Sequence, residues 1–283
     1  MRTTRQRRLR VVSESELGQE RYVGAGGQYI RANVRRGTGV PLVLCNGIGA
    51  SMEVLDPLVE QLESPVVRFD VPGTGGSPTS VLPYGFPYLA WVLGRVLSKL
   101  NIGMVDILGL SWGGALAQQF AFQNPRRCRR LVLVATGTGV LMVPARPSIL
   151  AKMATPRRFS DPDYAASIAG ELYGGTVRAH GEDVARLVVR QLHAGSKIGY
   201  LHQLLAGSAW TSLFALPAVR QETLIVTGTD DPIIPVVNAH IMNALLPNSR
   251  LHLHSGGHID LVHNATELAP VIETFLREPG KPS

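Results

Sequence analysis

The 283-residue sequence predicts an α/β fold, with a mostly parallel central sheet flanked by helices and a mainly helical cap inserted into it. Compact β-rich runs alternate with helix-length segments, the pattern that parallel strands and their crossover connections impose. The interval 137–217 breaks this rhythm, placing Pro, Gly, Arg and helical patches where one short crossover would suffice. A hydrophobic content of 45% over this length supplies one large core rather than two tandem ones. The expected organisation is a basic tail over 1–20, a core over 21–136 and 218–283, and a cap over 137–217.

The elements follow in order. Runs at 21–24 and 28–34 flank Gly24-Ala25-Gly26-Gly27, which reads as a hairpin loop opening the sheet with an antiparallel edge. Further strands are expected at 41–45, 66–70, 105–108, 131–135, 223–227 and 250–254, with a helix-like stretch at 115–121. There is no internal repeat. Cys45 falls in a strand and Cys128 after a helix, which makes neither a disulfide framework nor a metal knuckle; both are expected as packed thiols. No run of 18 apolar residues occurs, and no apolar stretch follows the arginines at 2, 5, 7, 8 and 10. Neither a membrane span nor a secretory signal is expected, which points to a cytoplasmic protein.

The net charge of +7 raises the question of an anionic partner. The arginines are dispersed, at Arg35 and Arg36, at Arg126, Arg127, Arg129 and Arg130, and at Arg157 and Arg158, so they read as a solvated basic surface. No helix-turn-helix spacing or aromatic-interleaved basic stretch accompanies them, and nucleic acid is set aside as a partner. An anionic surface, such as a particle coated with phospholipid or protein, fits the charge better.

Gly109-Leu110-Ser111-Trp112-Gly113 is a G-x-S-x-G arrangement between a strand-like and a helix-like run. A serine on so sharp a turn needs neighbours without bulky side chains, and Gly109 and Gly113 meet that need. A serine hydroxyl is a poor nucleophile until a base takes its proton and a carboxylate orients the base. Downstream, the run at 223–227 leads into Asp230 and Asp231, and the last strand leads into Gly256-Gly257-His258. Both sites fall where α/β sheets place their working loops. His252, His254 and His258 also raise a metal reading, which is set aside because no ligand cluster accompanies them. Asp70 reads as a turn-holding carboxylate.

The order Ser, Asp, His resembles that of the α/β-hydrolases, whose pattern of an acid ahead of an apolar pair and a proline selects Asp231 over Asp230. That likeness implies two backbone N–H donors for an oxyanion, from Trp112 after the nucleophile and from Ile48 in Asn46-Gly47-Ile48-Gly49. The side chains of Ile48 and Trp112 are expected only to pack.

The sequence is also similar, over nearly everything after the first twenty residues, to the intracellular poly(3-hydroxyalkanoate) depolymerases of medium-chain-length type. The likeness rests on Cys45-Asn46-Gly47-Ile48-Gly49-Ala50, Phe69-Asp70-Val71-Pro72-Gly73, Val143-Pro144 and Pro156-Arg157-Arg158, besides the run from Ser111 to Phe120. In the cap it includes Tyr173-Gly174-Gly175, Lys197-Ile198-Gly199-Tyr200 and the stretch 206–212.

This resemblance implies a serine hydrolase that cleaves the polyester through an acyl-enzyme and releases 3-hydroxyalkanoic acids, with Ser111 as nucleophile, Asp231 as acid and His258 as base. It implies no cofactor and no metal, a polyester granule as partner, and a place at the granule surface. The alternatives are a small-molecule carboxylesterase, lactonase or C–C bond hydrolase using the same three residues, and a non-catalytic binding protein, which the intact set opposes. Apolar stretches at 140–143 and 149–150 fit either aliphatic side chains or cap packing.

Overall fold

The computed structural model describes residues 17–155, 157, 161–179 and 195–279. The arginines at 2, 5, 7, 8 and 10, and Pro156 and Arg158 of the similarity to the depolymerases, lie outside the described residues. Eight strands form one sheet: β1 (Gln19–Ala25), β2 (Gln28–Arg35), β3 (Leu42–Cys45), β4 (Val66–Phe69), β5 (Val105–Leu110), β6 (Cys128–Val134), β7 (Glu222–Gly228) and β8 (Ser249–His254). Their spatial order is β1-β2-β4-β3-β5-β6-β7-β8. β1 and β2 pair antiparallel, as do β2 and β4, and every pair from β4 to β8 is parallel.

The longer helices among the described residues are α1 (Phe86–Lys99), α2 (Trp112–Gln123), α3 (Pro147–Ala154), α4 (Pro162–Tyr173), α5 (Lys197–Ser208), α6 (Val237–Leu245) and α7 (Ala265–Arg277). α3, α4 and α5 lie in the long insertion between β6 and β7. Alternation along the strands sorts their side chains onto two faces of the sheet. Val43, Val67, Ile107 and Leu133 join a core with Leu93 and Val96 of α1 and Leu116 and Phe120 of α2. Leu44, Val66, Leu108 and Val132 join a second core with Leu268, Ile272 and Phe275 of α7. The β-rich runs expected from the sequence are strands here, and β3 to β7 are covered on both faces as parallel strands require.

Several details differ from the sequence reading. β1 begins at Gln19, pairing Gln19 with Val34 and Glu20 with Asn33, so the sheet takes in residues assigned above to the tail. The hairpin closes at Ala25 and Gln28, leaving only Gly26 and Gly27 in the turn at φ 57° and 77°. A two-residue turn of this hand needs positive φ at both positions, which glycine adopts without strain. β5 runs two residues further, to Leu110, and β6 starts at Cys128 rather than after it.

The arginines depart furthest from expectation, because several are structural rather than solvated. Arg130 is 2% exposed, donates to Glu222, Leu276 O and Glu278 O, and lies over the Phe275 ring. Arg129 pairs with the buried Asp106 through two hydrogen bonds. Arg127 donates to the carbonyls of Gly94, Ile102 and Gly103, and Arg35 to those of Val59, Leu62 and Ser64. A guanidinium's fan of donors suits carbonyls left open at segment ends, and that need outweighs solvation at these positions.

Candidate active site

β5 ends at Leu110 and α2 begins at Trp112, so Ser111 alone makes the turn between them, at φ 54° and ψ −118°. A side chain in that region is strained and persists only where its surroundings fix it. Here they do. A Cβ at Gly109 would run into the backbone of Gly113 and Gly114, and one at Gly113 into the carbonyls of Cys45 and Asn46. The Ser111 N–H donates to Val134 O at 2.9 Å, and the Thr136 hydroxyl donates to Ser111 O at 2.8 Å. The turn aims the Ser111 hydroxyl above the carboxyl ends of the parallel strands.

The loops after β7 and β8 bring the expected acid and base to it. His258 Nε2 lies 2.9 Å from Ser111 Oγ, and His258 Nδ1 lies 2.8 Å from Asp231 Oδ2. Asp231 Oδ1 is committed to the N–H groups of Ile233 and Ile234, both at 2.9 Å, which leaves Oδ2 for the imidazole. Because an ionised carboxylate only accepts, this network assigns the ring proton to Nδ1 and turns the Nε2 lone pair toward the serine. Both side chains are buried, and the His258 N–H is tied to Tyr173 O at 2.8 Å.

The other carboxylates have different work. Asp230, the rejected alternative, accepts from the Gly175 N–H at 2.7 Å and from Arg178, and so holds the insertion against the β7 loop. Asp260 holds the insertion against the segment after β8, accepting from the Thr176 N–H and hydroxyl at 3.2 and 2.8 Å. Asp70 accepts from the amides of Met52 and Gly76, the turn-holding role expected of it; burial raises its carboxyl above the ordinary range. His254 accepts from the Gly256 N–H at 3.1 Å, and burial lowers its pKa. Among the described residues no group of three or more His, Cys, Asp or Glu is placed to hold a metal ion. Burial drives both thiols upward, so Cys45 and Cys128 stay protonated and unreactive.

Gly47 and Ile48 face the serine from the loop after β3, and Asn46 shapes that loop by accepting from the Gly47 N–H and donating to Ser51 O. The N–H of Trp112 opens α2, where a helix has no internal acceptor for it. The indole of Trp112 does more than pack: it lies 4.6 Å from the Phe86 ring and donates Nε1–H to Gln203 O at 2.9 Å. The sequence reading did not foresee this, nor the contacts of Gln203 and Tyr173, because each spans a long stretch of chain. A cavity of about 90 Å³ opens beside Ser111 and His258, lined on its apolar side by Val54, Met153, Tyr173, Ile233, Ile259 and Val262.

Residues 40–265 match the family model described as alpha/beta hydrolase fold. The chain belongs to the alpha/beta-hydrolase family. This hydrolase is 44% identical over 262 residues to a poly(3-hydroxyalkanoate) depolymerase of Ectopseudomonas oleovorans, an alignment covering 91% of the chain and 92% of that relative. Its fold is shared with an esterase from Exiguobacterium antarcticum, at a TM-score of 0.79 and 19% identity over 93% of the hydrolase and 100% of that structure. An enol-lactonase from Burkholderia xenovorans LB400 superposes with a TM-score of 0.77 at 20% identity, over 91% and 100% of the two chains.

Proposed function

We propose that this hydrolase cleaves the ester bonds of poly(3-hydroxyalkanoate) polymer or oligomers through an acyl-enzyme on Ser111. The observation that carries the chemistry is the hydrogen-bonded row from Ser111 Oγ through the His258 ring to Asp231. His258 Nε2 takes the hydroxyl proton as Oγ attacks the ester carbonyl, and Asp231 stabilises the imidazolium and holds its orientation. The N–H groups of Ile48 and Trp112 donate hydrogen bonds to the developing oxyanion. Collapse of the tetrahedral intermediate expels the alcohol end of the chain, protonated by His258. Water, activated by the same ring, then attacks the acyl-enzyme and releases the acid.

The polyester substrate rests on the 44% identity to the depolymerase, which spans nearly the whole of both chains. The apolar lining of the cavity is consistent with an aliphatic 3-hydroxyacyl unit. In this reading residues 137–217 form the cap over the site, and the enzyme works in the cytoplasm at the anionic surface of polyester granules. No helix among the described residues is long and apolar enough to cross a membrane.

The test is release of 3-hydroxy acids from amorphous medium-chain polyester granules, with short-chain polymer in parallel and Ser111→Ala as control. Release from the medium-chain polymer that vanishes in the variant is the expected result. Hydrolysis of soluble esters without release from either polymer would reject the polyester and leave a small-molecule esterase.

A further inference from the structure

We infer that Gln203, in helix α5 of the insertion, is the positioning residue that sets the oxyanion-binding loop, an inference that rests on the proposed role of Ser111. Its Oε1 accepts from the Gly49 N–H at 2.9 Å, across 154 residues of sequence. That bond fixes the peptide plane joining Ile48 to Gly49, immediately after the amide assigned to the oxyanion. Gly49 sits at φ 72°, a conformation glycine reaches without strain, and the bond from Gln203 fixes its N–H from outside the loop.

The carboxamide has little freedom to point elsewhere. Gln203 is 0% exposed, and its Nε2 donates to Gly199 O at 3.3 Å, which orients Oε1 toward Gly49. Its backbone carbonyl accepts from Trp112 Nε1. One residue of the insertion therefore holds the loop on one side of Ser111 and the first residue of α2 on the other. These are the two segments whose amides converge on the oxyanion.

α5 is itself anchored. The Ser196 hydroxyl caps it by accepting from the Gly199 N–H, the Ser196 N–H donates to Gly73 O, and backbone contact between Gly73 and Gly199 leaves no room for a Cβ at either. The loop inherits its position from this helix. A residue that merely filled space would not need an acceptor at Oε1, whereas one that aims the loop does. Losing the acceptor should weaken binding of the oxyanion and leave ground-state binding of the ester nearly intact.

The experiment measures kcat and KM on p-nitrophenyl butyrate for Gln203→Met, Gln203→Glu and Ser111→Ala, with thermal unfolding of each. Gln203→Met keeps the length and removes the acceptor; kcat is expected to fall about 10- to 100-fold with KM changing less than about threefold. Gln203→Glu while protonated keeps both bonds, an acceptor for Gly49 and a donor to Gly199 O; ionisation removes the donor and sets a charge against that carbonyl, so its kcat relative to wild type at each pH should decline as pH rises through the new carboxyl's titration, a limb absent from the wild type. If Gln203→Met does not fold, this limb decides: its presence supports the positioning role and a wild-type pH profile overturns it. A folded Gln203→Met with wild-type kcat, beside an inactive Ser111→Ala, overturns the role of Gln203 alone. Hydrolysis surviving in Ser111→Ala would overturn the assignment of Ser111 as well.

Discussion

The insertion between β6 and β7 meets the loops of the candidate site at two junctions built on opposite principles. At Gln203 the contact is neutral and sealed from solvent: a carboxamide on Gly49, a carbonyl on the Trp112 indole, and the Phe86 ring packed between Trp112 and Trp210. From Tyr173 to Arg178 the contact is carboxylate-based, with Asp230 and Asp260 receiving Gly175, Thr176 and Arg178 while Tyr173 O receives the His258 N–H. Buried neutral hydrogen bonds hold geometry with little sensitivity to salt or pH, whereas partly exposed ion pairs are screened and exchangeable. The first junction suits the loop proposed to present fixed dipoles to a transition state. The second leaves the Asp231 and His258 side more easily loosened.

The largest expected effect sets the baseline for both junctions. Ser111→Ala should reduce ester turnover by about 10⁴-fold or more while preserving the fold, since in the proposed mechanism it removes the nucleophile and disables the unit as a whole. Turnover and circular dichroism together check this. Asp260→Ala removes the carboxylate that accepts from the Thr176 N–H and hydroxyl and should cost about 1–3 kcal/mol in urea denaturation, because two part-buried hydrogen bonds are lost. A loss this large at the carboxylate-based junction would show that Asp260, which is 2% exposed, behaves like the sealed side.

Arg178→Ala probes the exposed half of that junction, where the side chains of Arg178 and Asp230 remain 49% and 40% exposed. It should cost less than about 1 kcal/mol, and the wild-type advantage should shrink further in high salt. The smallest effect concerns His263, which borders the cavity and whose pKa burial lowers from the ordinary histidine value. The unfolded chain takes up this proton before the folded one does, so stability falls as pH drops from about 6.5 toward the lowered value. His263→Gln should make that decline shallower in urea titrations across the same range; an unchanged slope would remove His263 from the pH response.

The sheet was legible because parallel strands covered on both faces must be largely apolar, and runs such as Leu42–Cys45 and 131–134 are continuously so. The Ser111 turn was legible because its two glycines are dictated by contacts within a few residues or with the adjacent strand. The same local logic put Asp231 and His258 at strand ends, and the structure sets them in one row with the serine. What escaped notice was long-range. Nothing in Leu201-His202-Gln203-Leu204-Leu205 marks Gln203 as the partner of Gly49, since the pairing depends on where α5 docks. Arginine counts likewise cannot distinguish a solvated side chain from Arg130, whose destination at the end of α7 is fixed only by the fold.

The measurement that bears most directly on the central claim is covalent capture of the nucleophile with a fluorophosphonate, followed by peptide mass mapping. A single adduct on Ser111, formed in step with loss of ester hydrolysis and slowed strongly in His258→Ala, is the predicted result. Full hydrolysis after stoichiometric labelling of Ser111, or an adduct on another residue that tracks the loss of activity, would contradict it.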